Sequence, residues 1–282
     1  MKLNPLIVFR DDFGDSAVLF NPEDGKVLGL NRTGAFIWKC LEKGEDRAGI
    51  IDALRKGLGK LQEGNDGTEG KRADAVDGKC HIIGCGSVGS TIAENLARLG
   101  ITKFVLYDFD IVEPHNLANQ MFVNADIKKP KIEATKRIIT DINPEAESTI
   151  ELHPEGYTGQ KLNGYVFLAV DNIDLRREIC TKQKQNQNIK VVFDVRTGLE
   201  SASVYAALWG DLKQVKNLLA SMDYTHEEAA AAAPVTACGR TLGVAPTVRI
   251  ASTFAVVQLI NYIRKKELKP IVSCDVFGLE VY

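Results

Sequence analysis

Gly84, Gly86 and Gly89 form G-x-G-x-x-G inside "HIIGCGSVGSTIAENLARLG" (81–100), where an apolar strand runs into a glycine turn and then an amphipathic helix. Glycine lets the backbone turn sharply and approach a phosphate, and the helix N-terminus offers unpaired N–H groups to an anion. Asp108 closes the next apolar run, "FVLYDFD", 24 residues after Gly84. A carboxylate there can accept hydrogen bonds from a ribose. A dinucleotide and ATP fit these residues equally well, and the ordinary alternative is a glycine turn needed only for packing.

Lys131 and Asp171 help to separate the two nucleotides. In "DIKKPKIEATKRIIT" Pro130 suits the first position of a helix and biases Lys129 away from helical geometry. Lys131 then falls in the first turn, where its ammonium adds to the positive helix end. A triphosphate uses that device, whereas a hydride carrier has little need of it; the plain alternative is a solvated lysine in a basic run. Asp171 follows the apolar run "YVFLAV" and leads into a helix. Strand C-termini near a topological switch point line the ligand crevice of such sheets, and a carboxylate there can hold the magnesium that accompanies ATP. Its bland alternative is a helix N-cap. Asp108, Lys131 and Asp171 together favour nucleotide cleavage.

The elements that must position these side chains follow from periodicity. Strands are predicted over 79–84, 103–108, 165–170, 190–195 and 202–208, and helices over 88–99, 130–142, 173–187, 211–221 and 246–264. The alternation predicts a doubly wound, Rossmann-like, mostly parallel α/β sheet covered on both faces. Helix 246–264 is apolar on several sides, as a core or interface helix would be. Ahead of this region, "AVLFNPEDGKVLGLN" reads as a hairpin around Pro22-Glu23-Asp24-Gly25. "RTGAFIWKCLEKG" and "RAGIIDALRKGL" carry apolar residues at helical spacing, with Phe36 and Trp38 read as core. Residues 59–78 are rich in glycine and charge and read as a linker. The expected organisation is a small winged-helix-like α+β domain over 1–58, the linker 59–78, and the α/β domain over 79–282.

The stretch "IIGCGSVGSTIAENLARLGITKFVLYDFDIVEPHNLANQ", the "KPK" helix start and "AVDNIDLRR" resemble the ubiquitin-activating-enzyme superfamily in its ThiF/MoeB/HesA branch. The resemblance runs from about 79 to 265. It implies adenylation of a C-terminal carboxylate with magnesium ATP, release of pyrophosphate, and a homodimer. It also implies Gly86 near the nucleotide, Asp108 on the ribose, Asn116 near the phosphates, Lys131 on a phosphate and Asp171 by the metal. Gly84, Gly89, Asp110, Asn119, Gln120 and Asn172 complete the implied nucleotide-binding set. The family pattern N-L-x-R-Q stands here as Asn116-Leu117-Ala118-Asn119-Gln120, so the arginine is Asn119. Removing one such preorganised stabiliser costs about 3–4 kcal/mol, or 10²–10³ in rate; Arg72, Arg176 and Arg196 are candidates to replace it. Cys238, in "ACGRTLGVAPTVRIASTF", resembles a ThiF-type cysteine able to take over the acyl group, with a neutral loop cysteine as the alternative. The family's paired-cysteine zinc knuckle is missing, and no zinc is expected. Residues 5–58 resemble PqqD-like peptide-recognition domains, which add a leader-peptide strand to an exposed sheet edge, with a small structural or dimerisation appendage as the alternative.

The totals agree with an intracellular enzyme. The chain has 282 residues, 26% of them charged, with a net charge of −2. Basic residues do not pile up in either half, which speaks against a nucleic-acid partner. No apolar run reaches the length of a membrane helix. Six scattered cysteines without a C-x-x-C pair fit a reducing cytoplasm. The expected activity is adenylation of a carboxylate on a ribosomally made precursor peptide or small carrier protein. The alternatives are a catalytically weakened nucleotide- or peptide-binding scaffold and, less favoured, an NAD-dependent oxidoreductase.

Overall fold

The computed structural model describes residues 4, 6–13, 16–51, 76, 78–228 and 245–281. The chain divides into two compact units, Met1–Thr68 and Glu69–Tyr282.

In the first unit Val8–Phe13 (β1), Ser16–Phe20 (β2) and Val27–Asn31 (β3) pair antiparallel in the order β1-β2-β3. The expected turn closes where the Asn21 N–H donates to the Lys26 carbonyl at 2.9 Å. Gly25, with φ +69°, takes the left-handed position that glycine adopts without strain. β1 was not anticipated, because "VFRDDF" is too polar to stand out as a strand. Helix α1 (Arg32–Glu42) follows β3 directly. Trp38 stacks on Phe9 at 6.4 Å, whereas Phe36 is 39% exposed. Residues two apart on a helix do not share a face, so Phe36 is not core as expected from sequence. Of "RAGIIDALRKGL", residues 47–51 are helical. Residues 52–58 and nearly all of the 59–78 linker lie outside the described residues.

The second unit is an eight-stranded sheet. In chain order its strands are β4 (Cys80–Ile83), β5 (Phe104–Tyr107), β6 (Glu151–His153), β7 (Gly164–Leu168), β8 (Ile189–Thr197), β9 (Ser201–Leu208), β10 (Ile271–Asp275) and β11 (Glu280–Val281). Their spatial order is β11-β10-β9-β8-β7-β4-β5-β6. The pairs from β6 through β8 are parallel and those from β8 through β11 antiparallel. Strand order reverses at β4, between β5 and β7, which opens a crevice at their C-terminal ends.

Alternate residues of each central strand serve opposite cores, as a period of two requires. Cys80, Ile82, Phe104, Leu106 and Phe167 pack on one face beneath α2 (Ser87–Arg98), α3 (Lys131–Ile142) and α6 (Ala245–Ile263). Ile83, Val105, Val166 and Leu168 pack on the other beneath α4 (Ile173–Gln183) and α5 (Leu212–Ala220). α4 stops at Gln183, short of the expected 187. β6, β10 and β11 are additions to the expected set; β6 and β11, three and two residues long, are too short to show a periodic signal. Among the described residues no helix is long and apolar enough to cross a membrane.

Candidate active site

The three glycines of the turn between β4 and α2 are there for different reasons. A Cβ on Gly84 would lie 2.8 Å from the backbone of Ala169 and Val170, and its φ of +93° is itself left to glycine. A Cβ on Gly89 would sit 1.8 Å from the Gly84 carbonyl oxygen. Gly84 therefore lets the turn lie against the backbone that follows β7, and Gly89 lets the first turn of α2 close onto the Gly84 carbonyl. Gly86 differs: a Cβ there would meet nothing within 4 Å. It is also the N-cap of α2, and no side chain caps that helix end. An open space before uncapped amides is what an incoming phosphate needs.

From this turn a line of polar contacts leads to Lys131. The Asp108 carboxylate accepts the Cys85 N–H at 2.6 Å on one oxygen and the Asp110 N–H at 2.8 Å on the other. Burial pushes the Asp108 carboxyl above the usual range while these two amides pull it down. A carboxylate offers about four acceptor sites, so two remain for ribose hydroxyls. Asp110 in turn accepts the Lys131 ammonium at 2.7 Å, and its carbonyl accepts the Lys131 N–H at 2.9 Å. Lys131 is 8% exposed and is the first residue of α3. Pro130 is its N-cap and not, as expected, the first helical residue. An extended bridge between Ile111 and Pro130 holds ψ of Pro130 at 137°.

The segment 113–121 lies beside the first turn of α2, tied there by the Met121 N–H donating to Ser90 Oγ at 3.3 Å. Asn116 is buried, and its Oδ1 accepts the Glu113 N–H at 2.8 Å, which closes the 3-10 turn Pro114–Ala118. Asn119 caps the end of that turn and is half-buried. The Oε1 of Gln120 is buried without a hydrogen-bond partner among the described residues. An orphaned acceptor is costly, and its presence near an open cradle fits a site completed by a ligand.

Asp171 stands at the end of β7, beside the backbone that Gly84 abuts. Its N-cap alternative is removed by its neighbour: Asn172 caps α4, its Oδ1 accepting the Leu175 N–H at 3.0 Å. Asp171 is left exposed with no hydrogen bond or ion pair among the described residues. Among those residues no three His, Cys, Asp or Glu side chains gather into a metal cage. One exposed carboxylate instead suits a magnesium that arrives with a triphosphate and takes most ligands from phosphate and water.

Two arginines expected as substitutes at position 119 have other partners. Arg176 is buried; its Nε donates to the Val170 carbonyl at 2.7 Å and its Nη1 pairs with Asp194. Arg196 pairs with the other Asp194 oxygen, lies 4.1 Å over the Tyr205 ring and donates to Ser221. Arg176 acts instead as a brace, holding the carbonyl next to Asp171. Arg72 and Cys238 lie outside the described residues. The described cysteines are free and buried, and burial pushes the Cys80 thiol up to about 12.

Phe109 was missed. It projects 76% exposed from the turn between Asp108 and Asp110. Its ring lies over Gly156, where a Cβ would come within 3.1 Å of it; an aromatic between two acids in a loop was the available signal.

Residues 64–277 match the ThiF family, and residues 16–59 match coenzyme PQQ synthesis protein D (PqqD). Ubiquitin-like modifier-activating enzyme 5 of Drosophila willistoni is 37% identical over 93 residues, 33% of this chain and 20% of that protein. The same enzyme of Caenorhabditis briggsae is 29% identical over 124 residues, 37% of this chain and 28% of that protein. The chain thus spans between a fifth and under a third of these relatives' length, 20% and 28%. Among solved structures, E. coli MccB with ATP aligns over 99% of this chain and 95% of its own, with a TM-score of 0.61 and 15% identity. PaaA aligns over 99% and 98%, with a TM-score of 0.58 and 17% identity. At such identity the likeness is one of fold. The ThiF match spans well over half of the residues, and the chain belongs to the ThiF family.

Proposed function

We propose that this protein is an ATP-dependent adenylyltransferase that activates a carboxylate of a ribosomally made peptide or small carrier protein. A carboxylate oxygen attacks the α-phosphorus of ATP, the bond from that phosphorus to the bridging oxygen breaks, and pyrophosphate leaves with the bond electrons. The Asp108 carboxylate holds the ribose, Phe109 covers the base, and the α2 amides beside Gly86 receive phosphate oxygens. The Lys131 ammonium, steadied by Asp110, stabilises charge as it develops on the phosphates. Asp171 would hold the magnesium that accompanies ATP, which would supply further neutralisation of the triphosphate. Cys238 is the candidate acceptor of the activated acyl group, and a homodimer is the expected assembly.

The observation that carries this reading is the unbroken line Cys85–Asp108–Asp110–Lys131 around a glycine that faces open space. E. coli MccB, a microcin C7 biosynthetic enzyme, has been solved with ATP and with MccA, which supports both a nucleotide and a peptide for this fold. Within the chain we assign 1–58 to peptide recognition, 59–78 to a linker and 79–282 to adenylation. β3 has no strand on its outer edge among the described residues, and Val27 and Leu28 on it are 65% and 60% exposed. An added peptide strand would satisfy that edge. Tethering the substrate in this way raises its effective concentration to the order of millimolar. The test is ATP–pyrophosphate exchange with the cognate peptide: peptide-dependent exchange is expected, and its absence with ATP still bound would sink the reading.

Asn119 favours a second reading, a nucleotide- and peptide-binding scaffold with weakened chemistry. The commitments of Arg176 and Arg196 to Asp194 strengthen it. ATP binding without exchange or AMP formation would decide for it.

A further inference from the structure

A second cavity lies at the other end of the sheet. Its volume is about 740 Å³, and it is walled by the first residues of β7 and β8, the end of β9, and the segment joining α6 to β10. Tyr165 and Lys190 are the second residues of β7 and β8, whereas Asp171 follows the C-terminus of β7. The two sites are thus separated by roughly 15–20 Å of extended chain.

Two chemistries meet in this cavity. Three lysines line it, Lys190, Lys265 and Lys266, with one acidic residue, Glu267, which is paired with Lys269 at 2.9 Å. Its remaining walls are aromatic and aliphatic: Tyr165 and Tyr262 meet edge to face at 5.9 Å, and Leu208, Ile263 and Leu268 continue the apolar surface. Lys190 already lies over the Tyr165 ring at 5.7 Å.

The cavity is also held in shape. Gln258, 2% exposed, donates to the Lys269 carbonyl and accepts the Lys269 N–H at 3.2 Å, which pins the joining segment from below. The Ala206 N–H donates to the Pro270 carbonyl at 3.0 Å and fixes its far end. Lys265 sits at φ +54° just past α6, in the left-handed position where glycine is unstrained. A lysine there strains the backbone and sets a cation at the cavity instead.

We propose that this cavity is a second binding site, separate from the nucleotide crevice, for an organic anion with a flat apolar body. Lys265 and Lys266 hold the anionic group, and half-buried Tyr262, backed by the buried Tyr165, receives the apolar body. The volume falls in the range that takes a small organic ligand.

The probe is 2-naphthoate, with neutral 2-naphthamide as control, titrated into the full-length protein by ligand-observed NMR with and without ATP. One naphthoate per chain is expected, bound at least tenfold more tightly than the amide and not displaced by ATP. Lys265→Glu with Lys266→Glu should weaken it tenfold or more while leaving thermal unfolding near that of the parent, since both side chains are exposed. Lys265→Gly should raise the unfolding midpoint yet still weaken naphthoate, which separates strain from binding. Displacement by ATP, equal affinity for the amide, or unchanged affinity in both variants would overturn the proposal. None of these readouts depends on adenylation, so failure here leaves that reading standing, and the converse.

Discussion

The two units handle the edges of their sheets in opposite ways. In the second unit the edge strands β6 and β11 are only three and two residues long; β4, β7, β8 and β9 lie between neighbours on both sides, and β10 is capped by β11 at Cys274 and Asp275. Short edges leave little backbone for another chain to pair with. The first unit instead leaves five-residue β3 open on its outer side among the described residues, with two large apolar side chains exposed on it. On the proposed function, docking and chemistry belong to different parts of the chain and can be perturbed separately.

The largest test of that division is Lys131→Ala. Losing one preorganised cation should lower ATP–pyrophosphate exchange by about 10²–10³. Peptide affinity, measured by fluorescence anisotropy, should not change. A parallel loss of peptide binding would break the comparison.

Acid should strike the second unit, because all four histidines lie beyond residue 80. Burial pushes the His81 imidazole down to about 4, where it bonds the Tyr107 hydroxyl at 2.9 Å. In the unfolded chain the same group titrates near about 6.5, so between these values the unfolded state binds more protons. Stability should therefore fall as pH drops from about 6.5 to about 4, by about 3 kcal/mol in all. Denaturant unfolding across that range measures the slope, and His81→Phe should flatten it.

A pair of glycine variants sharpens the account of the turn itself. Gly89→Ala must shift the Gly84 carbonyl and should lower stability by about 1–3 kcal/mol, as overpacking does. Gly86→Ala should keep stability within about 0.5 kcal/mol, as expected for a side chain entering open space. Its cost should instead be a several-fold higher KM for ATP. Thermal unfolding and exchange kinetics on the two proteins give both readings.

The smallest effect is expected at the open edge. Leu28→Asp should raise the KM for peptide about tenfold, about 1.4 kcal/mol, and leave kcat at saturating peptide unchanged. A fall in kcat alone would mean that β3 is not where peptide docks.

What the sequence determined was whatever is written in local spacing. The strand–glycine–helix of 80–98, the βα alternation and a helix starting within one residue of Pro130 all follow from periods of two and 3.6 and from the backbone limits of glycine and proline. Tertiary structure decided the matters that depend on which distant groups meet. It gave the N-cap of α4 to Asn172 and so left Asp171 open, and it set Arg176 and Arg196 around Asp194. It added short β6, β10 and β11, whose pairing no local pattern records. The lysine and tyrosine cavity likewise draws on segments spread from residue 165 to 270, and only packing brings their charges and rings to one place.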